Sequence, residues 1–196
     1  ADIDAEDAVG AIARRFSELT RRTMTALLAP AWPARPVERA ESRDKAQSAM
    51  AMLFPGPTRG DDRRFAASLL SGVASGLGGR FFEELRDRQS LAYTVMVTPV
   101  LRRHAGAFLG YIATSPEKED AARKGFLDQF ARLCSEPVTE RELRQAKTFA
   151  VGYNAIRREA ASGIIGDLAD AWMHGDSMEE IARYDERINA VTDADI

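Results

Sequence analysis

The sequence predicts an α+β domain in which one mainly antiparallel sheet is covered by helices as a two-layer sandwich. Three observations lead there. Short apolar segments with strand character occupy 45–54, 91–101 and 105–114. Arg102-Arg103-His104 joins the last two as a hairpin. Behind them the second half turns helical, with apolar stripes at helix spacing following chemically marked starts.

The elements follow in chain order. Val9, Ile12, Phe16 and Leu19 recur at helical spacing and predict an amphipathic helix from Asp7 to about Leu28. Pro30, Pro33 and Pro36 then remove backbone donors and bias their neighbours to extended geometry, so Ala29 to Arg43 reads as an irregular connector. A strand from Lys45 to Phe54 ends at the turn Pro55-Gly56-Pro57. Asp61-Asp62 places negative charge at a helix start, ahead of Phe65, Leu69, Leu70 and Val73 on one stripe running to about Ser75. Gly76-Leu77-Gly78-Gly79 breaks that helix, and Arg80 to Arg88 resumes with Phe81, Phe82 and Leu85 on one side. After the hairpin, Ser115-Pro116 pairs a capping side chain with a first-turn proline, ahead of Ala122, Phe126, Phe130 and Leu133. Thr139 to Glu142 has capping-box spacing before Leu143, Ala146, Ala150 and Tyr153, and Ser177 to Glu180 repeats it before Ile181, Tyr184 and Ile188. Thr192-Asp193-Ala194-Asp195 reads as one further helix start. The expected organisation is a single domain over 1–196, with 1–44 as a helix and proline-rich connector leading in, cut from a longer chain.

Composition excludes several function classes. A net charge of −3, with Arg and Lys scattered among acids, leaves no basic stripe to follow a phosphate backbone or an anionic membrane, so neither nucleic acid nor membrane insertion is expected. No apolar run approaches the roughly 20 residues of a spanning helix. Heavy use of Arg over Lys and much Ala suit a bacterial source, with the protein soluble in periplasm or cytoplasm. Cys134, the single cysteine, permits no internal disulfide and reads as a small buried residue at a helix end.

The chain carries no metal set of its own. A zinc site needs three or four converging ligands, usually with two at short helical spacing. His104 and His174 lie 70 positions apart, and neither sits in H-E-x-x-H or H-x-x-E-H. The glycines at 76–79 lack the Lys-Ser/Thr of a phosphate loop, and no Gly-x-Ser-x-Gly elbow occurs.

The informative stretch runs Gly78-Gly79-Arg80-Phe81-Phe82-Glu83-Glu84-Leu85-Arg86-Asp87-Arg88-Gln89-Ser90-Leu91-Ala92-Tyr93. It resembles the signature of the second, non-zinc domain in the pitrilysin, insulinase and mitochondrial-processing-peptidase family of zinc metallopeptidases. There a helix ending in Leu-Arg runs into Leu-Ala-Tyr at a strand start. Leu53 to Pro57, Ser115 to Lys118, Pro137 to Leu143 and Ile188 to Thr192 fall in the same family order, so the resemblance spans about Lys45 to Ile196. Two positions depart from it: Gly79 stands where Ser is frequent, and Ser90 where Gly usually precedes Leu-Ala-Tyr. A Ser at a turn that favours positive φ hints at an altered backbone.

The resemblance implies a pitrilysin-type fold and a site made by Arg86 and Tyr93, seven positions apart, reaching toward a zinc-bearing H-x-x-E-H domain or subunit. Zinc would belong to that partner, with none bound by this chain. Arg86 would hold an extended peptide substrate through paired hydrogen bonds, and Tyr93 would donate to the oxyanion developing on the scissile carbonyl. The residues alone also admit other roles: Arg86 in a surface pair with Glu83, and Tyr93, in phase with Val95 and Val97, capping the core. Arg80 and Arg88 read as packing and solvation. Two functions follow, the substrate-gripping half of a zinc metallopeptidase or a non-catalytic interaction subunit of the same fold.

Overall fold

The computed structural model describes residues 3–20, 28–76, 78–174 and 178–196. Three strands form one antiparallel sheet: β1 (Ser48–Pro55), β2 (Thr94–Leu101) and β3 (Gly106–Thr114), in the order β1-β3-β2. The register brings Met50, Ile112 and Val95 side by side, then Met52, Gly110 and Val97. Because side chains alternate across a sheet, these six share one face, and Ala51, Tyr111 and Met96 share the other. Val95, Val97 and Ile112 are buried, whereas Ala51 and Met96 are exposed, so helices cover one face alone among the described residues. This is the α+β two-layer arrangement the sequence predicts.

The covering layer begins with α3 (Glu119–Ser135), which presents Ala122, Phe126 and Phe130 to the sheet. Phe81, from the segment before β2, meets both rings edge-on, at 5.8 Å to Phe126 and 5.0 Å to Phe130. Gly110 makes the close approach possible: a Cβ there would lie 2.5 Å from Phe130 Cζ and 2.7 Å from Phe126 Cζ. A second core joins α2 (Arg63–Ser75), α4 (Glu140–Arg158) and α7 (Tyr184–Ala190) through Phe65, Leu69, Val73, Leu143, Ala146 and Ile188. The hydroxyls of Ser71 and Ser75 in α2 both donate to the Val97 carbonyl, covering the open edge of β2 with side-chain donors. Between α4 and α7 lie α5 (Ala161–His174) and α6 (Met178–Ala182). Arg59 in the β1–α2 connection and Arg64 in the first turn of α2 tie that region to this pair, at 2.8 Å from Asp170 and 2.5 Å from Glu180 respectively.

Several predicted details change. The first helix, α1, spans Ala5–Arg15 rather than reaching Leu28, and Val9, Ile12, Phe16 and Leu19 are exposed because the helix packs on no described element. Residues 21–27 of that predicted helix lie outside the described residues, as do Leu77 and the capping Ser177. Ser115 gives no side-chain cap: Pro116–Lys118 form a 3-10 turn whose Lys118 N–H bonds the Ser115 carbonyl instead. Cys134 is exposed, because the inward stripe of α3 runs through Gly125, Gln129 and Leu133 and leaves position 134 off it. Tyr153 is also exposed and stacks on Phe149, since the stripe of α4 continues from Ala146 and Ala150 to buried Asn154. Thr139 does form the predicted capping box with Glu142.

The contact at Gly110 sets a stability prediction. The two rings facing it are locked in the core, so Gly110→Ala overpacks the site and destabilises by about 1–3 kcal/mol. A urea titration reads this as a lower midpoint at unchanged slope; an unshifted midpoint contradicts the packing described.

Candidate functional site

The segment between α2 and β2 is built around two buried side chains. Residues Phe82–Arg88 form a π-helical turn whose wide bonds include Gln89 N–H to Glu84 C=O at 3.1 Å. Phe81 and Leu85 are fully buried on its inner side. At its entry the backbone is crowded: a Cβ on Gly79 would meet Gly76 N and O at 2.8 Å. Glycine is therefore the residue that fits there, which gives the departure from the family's Ser a steric cause.

At its exit, the Leu85 carbonyl accepts the N–H groups of both Leu91 (2.7 Å) and Ala92 (3.2 Å). These donors are taken by the helix end, so β2 starts at Thr94 rather than at Leu91. The reversal needs a left-handed residue, and Ser90 supplies it at φ 51°. Thus the Ser keeps the backbone that a Gly would adopt. Lys118 Nζ donates to the Ser90 carbonyl at 2.8 Å, bracing the turn from the far side of the hairpin. Next, Tyr93 N–H donates to the Ala113 carbonyl, the residue that Thr94 already faces in the ladder. Two residues thus oppose one in the manner of a bulge, and strict alternation stops before Tyr93.

These constraints decide where the two predicted residues stand. Arg86 lies on the outer side of the π-turn, exposed, with its guanidinium 4.6 Å from the Phe82 ring centroid. It makes no ion pair with any described residue. The acids that would compete for it belong to Arg88, which reaches Glu83 at 2.6 Å and Glu84 at 3.0 Å. Glu84 is held below the usual carboxylate range, first by the Gln89 amide and then by Arg88. Tyr93 is 77% exposed while Val95 and Val97 are buried, so its ring does not cap the core. No hydrogen bond or ring contact joins Arg86 to Tyr93 among the described residues; the turn at Ser90 sets one at each end of a short reversal.

Arg80 departs from a solvated role. Its guanidinium grips the Glu142 carboxylate with two bonds, of 2.7 and 2.9 Å. It also donates to the carbonyls of Glu136 (3.1 Å) and Pro137 (2.8 Å). Sequence reasoning missed this because the partner lies 62 positions away. Arg80, aided by Thr139, holds the Glu142 carboxyl down to about 2.

As for metals, no group of three or more His, Cys, Asp or Glu among the described residues could hold an ion. His104 lies at the hairpin turn and His174 ends α5. The described residues therefore do not fit a zinc site. No helix of the described residues is long and apolar enough to cross a membrane.

Comparison with known proteins adds the following. Residues 1–149 match the family model described as the peptidase M16 inactive domain. An uncharacterized zinc protease of Mycobacterium tuberculosis is 28% identical over 152 residues, which cover 77% of this chain and 35% of the relative. The chain thus spans about a third of the length of the curated relatives it matches. A peptidase M16 inactive domain from Pseudomonas fluorescens shares its fold at TM-score 0.80 and 20% identity, over 99% of this chain and 47% of that one. A protease from Helicobacter pylori superposes at TM-score 0.79 and 16% identity, over 99% and 48%.

Two outcomes follow from the local geometry. Ser90→Gly removes the left-handed penalty of a residue with a Cβ and gives up no side-chain hydrogen bond to a described residue, so it stabilises by about 0.5–1 kcal/mol. An unchanged or lower melting temperature contradicts that reading of the turn. The Glu142 carboxyl has its folded value below its unfolded one, so its stabilisation is full above about pH 4.5 and disappears as pH falls toward about 2. Urea midpoints of wild type therefore fall through this window more steeply than those of Glu142→Gln; parallel curves contradict it.

Proposed function

The chain belongs to the peptidase M16 family as its inactive domain, and from that premise we propose that it is the substrate-gripping half of a zinc metallopeptidase, with Arg86 and Tyr93 completing a site whose zinc belongs to another domain or subunit. Relatives of the chain are named zinc proteases. The metal would supply the activation of water for peptide hydrolysis, through an H-x-x-E-H set outside this chain.

One observation carries the reading. Arg86 and Tyr93, braced by the Ser90 turn, are both exposed and unspent: neither forms an ion pair or side-chain hydrogen bond with a described residue, although acids lie one turn from Arg86. A guanidinium whose five donors meet no acceptor among the described residues can grip a backbone carbonyl of an extended peptide through parallel bonds, and Phe82 beneath it restricts its swing. A phenol in solvent at the start of β2 can donate to the oxygen on which negative charge grows as water attacks the scissile carbonyl. The first interaction exists in ground and transition states alike and bears on KM; the second strengthens in the transition state and bears on kcat. A non-catalytic interaction subunit of the same fold is the other reading, and it leaves both side chains without a task.

The test is peptide cleavage by the complete enzyme, with its zinc-bearing half present. Tyr93→Phe is expected to lower kcat by about 100-fold, the usual loss for one oxyanion donor. Arg86→Ala is expected to raise KM. The 196-residue chain by itself is expected to cleave nothing. Unaltered kinetics in both variants would favour the interaction subunit, and zinc-dependent cleavage by the isolated chain would overturn the division of labour.

A further inference from the structure

We infer that Arg80 is a positioning residue for Arg86: its grip on Glu142 and on the carbonyls of Glu136 and Pro137 fixes the orientation of the π-helical turn from which Arg86 reaches substrate. The inference rests on the proposed role of Arg86 and extends it to a residue that touches no substrate.

The π-turn needs such a device. Turns of this kind are rare and short, and this one is held by apolar packing, with Phe81 and Leu85 fully buried and Phe82 partly so. Apolar packing is non-directional; it fixes which face is buried but leaves the turn free to rock about the buried ridge. Hydrogen bonds from a planar guanidinium are directional, and Arg80 makes four of them at the entry of the turn. Their acceptors are already fixed. The Glu136 and Pro137 carbonyls lie just past the end of α3, and Glu142 caps α4 through the Thr139 N–H and hydroxyl, at 2.8 and 2.7 Å. One side chain thus ties the turn to the ends of two helices. With side-chain exposures of 15% and 22%, the Arg80–Glu142 pair is shielded, unlike the pair of Arg132 with Glu136, at 45% and 46%. Rocking of the turn would carry Phe82 and the guanidinium stacked on it away from the line of the substrate. Lys118 and Ser90 brace the exit of the segment, so loss of Arg80 acts on the Arg86 end first.

The experiment measures kcat and KM of the complete enzyme on an internally quenched fluorescent peptide, for Arg80→Lys, Arg86→Ala and the double variant. Lysine keeps the charge and loses the fork. Arg80→Lys is expected to raise KM roughly 5-fold while kcat stays within about 2-fold. In the double variant KM should equal that of Arg86→Ala alone, because Arg80 acts through a side chain that is already gone. Arg132→Lys, at an exposed pair, should leave KM unmoved. A fall in kcat at unchanged KM, or additive rises in the double variant, would mean that Arg80 only stabilises the fold and would overturn the inference. If Arg86→Ala raises KM and Arg80→Lys does not, the inference fails while the reading of Arg86 stands. If Arg86→Ala leaves KM unchanged, that reading fails and the inference with it.

Discussion

The aromatic contact of Phe81 with Phe126 and Phe130, seated over Gly110, is the constraint from which the rest of the structure follows. It joins the sheet, α3 and the segment before β2 in one packing event. Removing a buried phenylalanine typically costs about 3–5 kcal/mol, comparable to the whole net stability of a small domain. Gly110 lets α3 approach the sheet, and α3 in turn offers the rings that hold Phe81 down. With Phe81 and Leu85 both inward, Arg86 emerges on the outer face of the turn.

From there the chemistry is decided by competition among charges. Three acids and two arginines crowd residues 83–88. Arg88 satisfies Glu83 and Glu84, and Phe82 takes the flat face of Arg86, so one cation is left with no ion pair or hydrogen bond to a described residue. Tyr93 is freed by a different device. The doubled hydrogen bond to Leu85 delays the strand, and the shared partner Ala113 breaks its alternation, turning aside a ring that would otherwise follow Val95 into the core. Exposure of a large aromatic does nothing for folding, and under the proposed function it is what leaves the Tyr93 hydroxyl open to a ligand.

Much of this was legible in the sequence where the signal is local. The hairpin, the capping box at Thr139, the stripe of α3 and the glycine break before Arg80 all depend on neighbours a few residues away, and the structure contains them. Legibility failed where a partner is distant or absent. Arg80 was legible only as a residue of packing and solvation because Glu142 comes long after it, and the Ser71 and Ser75 bonds to Val97 leave no mark in composition. The apolar stripe of α1 promised burial that no described element provides. Cys134 was misread because residue type was weighed above position, although Leu133 beside it already holds the inward place, and Tyr153 because the stripe of α4 drifts by a fraction of a residue per turn, enough to move the inward position to Asn154. For the site, the family resemblance of the stretch 78–93 picked out Arg86 and Tyr93, but the turn between them was legible only as a departure, Ser90 for Gly; that the Ser adopts positive φ is a property of the folded chain.

The most direct measurement is a structure of the complete enzyme with an uncleaved peptide bound, read at the distance from Tyr93 Oη to the scissile carbonyl oxygen. The account predicts a hydrogen bond of about 3 Å there, with the Arg86 guanidinium on a neighbouring peptide carbonyl. A phenol turned to solvent, with the scissile carbonyl held solely by groups of the other half, would contradict it.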